Sequence, residues 1–456
     1  MRTAVLLATL AACGDNLKPP DIVDRLRELP GVADATVTPT ADPGYEYIVM
    51  HFEQPVDHDD PASPTFLQEV SLLHRDSSAP MIVHTSGYWD YYKDAEVELT
   101  ILLAANQISI EHRFFGDSVP DPADWTKLTI AQMAADEHAI VSALRQVYSG
   151  AFLATGASKG GMTSVFYRRF YPDDVDGTVP YVAPIMYADP DERFPPFIAA
   201  IDPGACHQAI EDAAVEIIKN RRAAMEQRAQ TQAQAMGYAY TRIALGPAVE
   251  SAIEDLEWSF WQYYGVDYCD TVPPVTASDD DMFNFLDTIA VVHESDDAET
   301  ALFQGYYYQV DNELGYPDDG TTYLKPYYMY TAADFAGALP TPTAPAYDNG
   351  AAMHDVDGFV EQQGSRLLFV YGQWDPWSGG AYVLGGAQDS LLLTEAQGTH
   401  DSHLTELATA DEQAAFAKLA AWTGVTPAPA MRIAPEPRAP HVPPALRALH
   451  QRLAAP

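Results

Sequence analysis

The sequence predicts an α/β chain, with a mostly parallel sheet flanked by helices and interrupted by a large helical insertion. Three observations predict it. Between residues 45 and 188, short apolar runs of strand length alternate with helical patterns. From residue 189 to about 345 that alternation stops and long helical periods rich in Tyr and Trp take over. Between residues 346 and 424 the strand–helix series resumes. With 456 residues, 47% of them hydrophobic, the chain is large enough for one core plus an insertion.

Taken in order, residues 45–52 and 66–74 are rich in β-formers and alternate in part, as a hairpin at a sheet edge does. Residues 80–85 and 108–112 are short apolar runs suited to buried parallel strands. Residues 129–148 carry helical periodicity, 151–155 are strand-like, and 158–171 form a helix ended by Pro172. Inside the insertion, 208–238 and 249–264 read as long helices. A helix near 356–363, strands at 366–371 and 390–395, and a helix at 411–423 complete the second half. The last segment, 425–456, is Pro-rich, reads as a linker or a surface arm, and ends in a short basic helix at 444–453.

Charge and the first residues bound the surroundings. Against 25 Lys and Arg stand 65 Asp and Glu, a formal net charge of −40 that repels phosphate backbones and argues against nucleic acid as a partner. Arg2, an apolar stretch from Ala4 to Leu10 and then Leu10-Ala11-Ala12-Cys13 read as an export signal over residues 1–12. The last four residues resemble a bacterial lipobox, in which Cys13 becomes the lipidated N-terminus ahead of a segment at 13–44; the alternative is a plain secretory peptide. The expectation is an exported protein held at the cell envelope, periplasmic or on the surface, by a lipid anchor alone, since no later stretch is apolar enough to span a bilayer. Cys206 and Cys269 then either form a disulfide within the insertion or remain two buried thiols. Their spacing does not suggest a metal site, and no cofactor is expected. No oligomeric state is assigned by the sequence.

The chemistry centres on Gly156-Ala157-Ser158-Lys159-Gly160-Gly161, between a short apolar strand and a helix. A Ser on that sharp turn is pushed above the sheet edge, and small neighbours let strand and helix pass closely. The helix N-terminus offers free N–H groups to a developing negative charge. This reads as the nucleophile turn of an α/β-hydrolase, where an acid and then a His are expected to follow in chain order. Asp375 lies just beyond the strand Leu367-Leu368-Phe369-Val370-Tyr371, and His400 follows Gly398-Thr399 beyond the next strand. His403 competes with His400 for the base; His400 is favoured because it directly follows the small pair. In this arrangement Asp375 orients His400, which takes the Ser158 proton. The oxyanion donors are expected at the backbone of Lys159 and in the loop around Gly87 and Tyr88. The Lys159 side chain is given no part in the chemistry.

Several segments also resemble serine peptidase family 37, the secreted tripeptidyl aminopeptidases, and its relative family 28, which includes lysosomal Pro-Xaa carboxypeptidase and dipeptidyl peptidase II. They are Gln54-Pro55-Val56-Asp57-His58 with Thr65-Phe66, the run from Glu111-His112-Arg113 to Pro120, Gly156 to Gly161, Asp375-Pro376-Trp377 and Gly398-Thr399-His400. Lys159 stands where family 28 usually has Tyr, which tilts the match to family 37. The resemblance implies the triad Ser158, Asp375 and His400, an insertion acting as a cap, and a peptide substrate shortened from its N-terminus. Glu111 and Arg113 are expected to form a buried structural ion pair beneath the site. An esterase or amidase on small molecules is the rival within the same chemistry, and a non-catalytic surface lipoprotein the rival outside it.

Overall fold

The computed structural model describes residues 21–202, 204–340 and 345–428, with Pro444 and Arg452. Cys13, its leader and most of the Pro-rich tail lie outside the described residues.

A five-residue run such as Met81–Thr85 has no polar face to show to water, and all five residues are buried. Such a strand is stable only inside a sheet covered on both sides. Nine strands make that sheet: β1 (Val32–Thr38), β2 (Glu46–Pro55), β3 (Thr65–His74), β4 (Met81–Thr85), β5 (Asn106–Ile110), β6 (Phe152–Ala157), β7 (Gly177–Tyr181), β8 (Leu368–Gly372) and β9 (Leu391–Glu395). Their spatial order is β1-β2-β3-β5-β4-β6-β7-β8-β9. The edge from β1 to β5 is antiparallel, and everything from β5 through β4 to β9 is parallel. Side chains alternate between two cores, so Met81 and Val83 enter one while Ile82 and Leu153 enter the other.

The expected helix at 129–148 runs Ile130–Leu144, started by the Thr129 hydroxyl accepting from the Gln132 N–H at 3.2 Å. The next, Lys159–Phe170, packs against it and against β6 and β7. Two strands escape the sequence pattern. In β1 only Ala35 is buried, so alternation is faint. β7 is Gly-Thr-Val-Pro-Tyr, whose Gly and Pro argue against a central strand, yet all five residues are buried there.

Between β7 and β8, every named element among the described residues is helical. The stretch expected as one helix at 208–238 is instead two, Ala205–Glu216 and Arg222–Met236, joined by a single wider turn at Ile217–Arg221. The long helix Leu245–Tyr263 is buried from Pro247 to Gln262. Cys206 and Cys269 are bonded, tying the first of these helices to the chain just after the long one. Arg452 docks on the same insertion, with its Nη1 2.8 and 2.9 Å from the Glu254 carboxylate and its Nη2 2.8 Å from Glu250. No helix among the described residues is long and apolar enough to cross a membrane.

The expected Glu111–Arg113 pair is not formed. Arg113 is fully buried, but its Nε and Nη2 lie 2.6 and 2.7 Å from the Asp136 carboxylate, on the helix Ile130–Leu144. Its remaining N–H groups reach the carbonyls of Pro55, Val56 and Lys127. His58 Nε2 also meets Asp136, at 2.7 Å. Glu111 sits inside the turn that follows it, so backbone donors are nearer than any guanidinium. It accepts from the N–H groups of Asp90, Asp117 and Ser118 and from the Ser118 hydroxyl.

Candidate active site

β6 ends at Ala157 and the next helix starts at Lys159, leaving Ser158 alone on the turn. Its φ of 55° and ψ of −124° lie where an L-residue is rarely found, so surrounding structure must hold it. The Ser158 N–H donates to Tyr181 O of β7 at 3.0 Å, and Ser158 O accepts from Met162 N–H at 2.9 Å. Gly160 makes the turn sterically feasible, because a Cβ there would collide with Thr85 O. The Thr85 hydroxyl binds Gly160 O at 2.6 Å and locks β4 to this turn.

Asp375 follows β8 by three residues and is completely buried. Its Oδ2 lies 2.8 Å from His400 Nδ1, and its Oδ1 accepts from Trp377 N–H at 3.1 Å. Burial pushes this carboxyl up, while His400 and the Trp377 N–H pull it back down. His400 comes from the loop after β9 and is itself buried. With Nδ1–H directed at Asp375, the other ring nitrogen is an acceptor. That Nε2 is buried and has no hydrogen-bond partner among the described residues. Ser158, Asp375 and His400 all emerge beyond the carboxyl ends of parallel strands β6, β8 and β9, where ligands of such sheets bind. His403 turns elsewhere, its ring 6.2 Å from that of Tyr181.

The loop after β4 divides the two residues named there. Gly87 has φ 75°, and a Cβ on it would stand 2.6 Å from Gly160 N, so its backbone lies against the start of the helix. The Tyr88 N–H is already engaged by the Ser86 hydroxyl at 3.3 Å. Lys159 does more than the sequence reading assigned. Its side chain is buried, donates from Nζ to Gly87 O, and lies 5.2 and 5.0 Å from the centres of the Tyr88 and Phe115 rings. Burial pushes its ammonium well below the usual lysine range, with Glu137 opposing the shift.

Further contacts had no local sequence signal. The His400 N–H donates to Gln262 O at 2.8 Å, at the end of the insertion's long helix. The Tyr263 ring stands edge-on to the imidazole at 6.2 Å. Glu98, buried beneath, accepts from the N–H groups of Leu404 and Thr405 and so fixes the chain that follows His400. On the other side, Phe303 of the insertion packs 5.4 Å from Tyr88 and 5.3 Å from Trp89. The insertion thus touches both the His400 loop and the Gly87 loop.

The family described as PS-10 peptidase S37 matches residues 16–451. The chain belongs to the S37 peptidase family. It is therefore a serine peptidase, built on the α/β-hydrolase fold. This S37 peptidase is 36% identical over 425 residues to a prolyl tri/tetrapeptidyl aminopeptidase of Streptomyces mobaraensis, covering 92% of this chain and 88% of that protein. Mouse lysosomal Pro-X carboxypeptidase is 30% identical over 214 residues, covering 41% of this chain and 42% of its own. Among solved structures, the peroxisomal alpha-beta-hydrolase Lpx1 of Saccharomyces cerevisiae aligns with a TM-score of 0.35 and 10% identity, over 82% of this chain and 88% of that one. A likeness of that size carries no argument about chemistry.

Proposed function

We propose that this S37 peptidase is an exopeptidase that releases short peptides, tripeptides foremost, from free N-termini, through an acyl-enzyme on Ser158. The observation that carries the reading is the Asp375–His400 pair at 2.8 Å with a buried, partnerless Nε2, held over the strand ends from which Ser158 also emerges. The relation to an aminopeptidase over 92% of the chain supports the choice of substrate.

In this mechanism His400 Nε2 takes the Ser158 hydroxyl proton as Oγ attacks the scissile carbonyl. Asp375 holds the imidazole in the tautomer that leaves Nε2 free and stabilises the imidazolium that forms. The Lys159 and Gly87 N–H groups receive the oxyanion; Tyr88 N–H, already engaged, serves less well. His400 returns the proton to the leaving amine, and water repeats the sequence to free the peptide. The insertion supports the exopeptidase reading by crowding the site from two sides. Export and lipidation at Cys13 belong to the same proposal, on the sequence alone.

The test is turnover of a matched set: free and N-blocked tripeptidyl aminocoumarins, a dipeptidyl one and a short-chain nitrophenyl ester. Ser158→Ala and His400→Ala are the controls, each expected to lose on the order of 10⁴ to 10⁶ in kcat. Rapid cleavage confined to the free tripeptide is the expected result. Equal cleavage of blocked peptides, or of the ester alone, discards the exopeptidase. Wild-type turnover in His400→Ala with loss in His403→Ala moves the base.

A further inference from the structure

The long helix Leu245–Tyr263 carries three buried glutamates along one stripe, Glu250, Glu254 and Glu257. A buried carboxylate persists when a cation or several donors compensate it. The first two are paired with arginines: Arg222 Nη1 lies 2.6 Å from Glu250, and Arg452 reaches both Glu250 and Glu254. Glu257 is treated differently. It is only 4% exposed, and its Oε1 makes no well-aligned hydrogen bond among the described residues, with His207 Nδ1 and the Trp261 N–H as its polar neighbours. Its Oε2 accepts from the Tyr323 hydroxyl at 3.1 Å.

Around that oxygen the charge is one-sided. His207 Nδ1 lies 3.1 Å from Glu257 Oε1, and His207 Nε2 lies 3.6 Å from Glu211 Oε1. One ligand atom from each of these three side chains falls within 4.8 Å of the others. Among the described residues, no Lys or Arg pairs with Glu257 or Glu211. Asp319 adds further negative charge. Burial, followed by Glu211, pushes the Glu257 carboxyl up to about 8, against the opposing hydrogen bonds from Tyr323 and Trp261. His207 and Glu211 keep partial exposure, so the cluster is open to a ligand.

The cluster also sits at a telling place. Five residues separate Glu257 from Gln262, whose carbonyl holds the His400 N–H, and at 1.5 Å per residue that is about 7.5 Å of helix. Three extended residues span at most about 10 Å. Trp258, beside Glu257, packs 5.0 Å from Trp377, which itself lies 6.2 Å from the His400 ring. Cys206, next to His207, is bonded to Cys269, which holds the cluster's second helix against the region of the long one.

We propose that Glu257, with Glu211 and His207, binds the α-ammonium group of the peptide substrate and thereby sets how many residues lie between the free N-terminus and Ser158. The proposal rests on the exopeptidase reading and names the site that would make it one. The substrate supplies the cation that Glu250 and Glu254 receive from arginines.

The experiment compares kcat/KM for a free tripeptidyl aminocoumarin and for its desamino analogue, in wild type, Glu257→Gln and Glu211→Gln. Active sites are titrated with an organophosphonate and thermal midpoints recorded, so that misfolding is separated from lost binding. Loss of a charge-assisted contact predicts that the free-amine preference falls roughly 10- to 100-fold in Glu257→Gln, through KM, and by less in Glu211→Gln. A preference present in wild type and unchanged in a folded Glu257→Gln overturns the proposal and leaves the exopeptidase standing. No preference in wild type removes both. A zinc titration showing one tight equivalent that Glu257→Gln abolishes, with the amine preference intact, assigns the cluster to a metal instead.

Discussion

Lys159 is the residue whose role changed most between sequence and structure. A lysine beside the proposed nucleophile offers its N–H by position alone, and the turn motif makes that legible. Its side chain was not legible, because the partner, Gly87 O, lies 72 residues away on the loop after β4. Buried against Tyr88 and Phe115, the ammonium holds that loop in place for the proposed oxyanion. Lys159→Met keeps the length and apolar contacts but loses the bond to Gly87. Removing an oxyanion donor outright costs about 10² to 10³ in kcat, and loosening one should cost roughly tenfold or more with little change in KM. Phosphonate affinity, which reads the oxyanion geometry, should fall in step while the thermal midpoint holds. An unchanged kcat would leave Lys159 a packing residue. The positions of Ser158, Asp375 and His400 beyond strand ends were legible for the opposite reason, since each follows its own strand within a few residues. Arg113 was misread because Glu111 was close in sequence while Asp136 was close in space.

Among the elements, the insertion was legible as helical but not in its breaks. The wide turn at Ile217–Arg221 lies within unbroken helical residues such as Ile, Lys and Arg, which carry no stop signal. β7 was hidden by its Gly and Pro, tolerated because tertiary burial outweighs local propensity. The Cys206–Cys269 bond is the element-scale constraint, closing a span of 63 residues that contains the long helix. Loop entropy for that span predicts a stabilisation of about 4 kcal/mol. The double variant Cys206→Ser, Cys269→Ser should therefore melt several degrees lower in calorimetry, and reductant should lower the wild-type midpoint but not that of the variant. Equal midpoints would place the insertion's stability in its apolar core alone.

At the scale of the whole molecule, a net charge of −40 and a set of buried carboxyls act on the same variable, pH. Burial raises Glu257 to about 8, and Glu313 and Glu395 to about 7, against roughly 4.3 for glutamate in an unfolded chain. Between those values the folded state binds more protons than the unfolded one, so these three carboxyls make stability fall as pH rises from about 4.3 to 8. Two histidines oppose this in the lower part of that window. Burial lowers His84 to about 3 and His112 well below its ordinary range, so both stay neutral when folded. Acidification through about 6.5 then protonates them only in the unfolded chain, which cancels part of the gain from the carboxyls. Three carboxyls against two histidines predict a thermal midpoint that falls gently with rising pH below about 6.5 and most steeply between about 6.5 and 8. Self-repulsion of the negative surface also weakens folding at high pH, but salt screens exposed charges and barely reaches buried ones. Scans from pH 5 to 8.5 at low and at 0.5 M salt separate the two on that basis, with about 0.5 M chosen to bring the screening length well under 10 Å. The decline above pH 6.5 should persist in salt and be shallower in Glu257→Gln, which has no proton to lose. A decline that salt abolishes would assign the pH dependence to the surface and leave the buried carboxyls without a part in it.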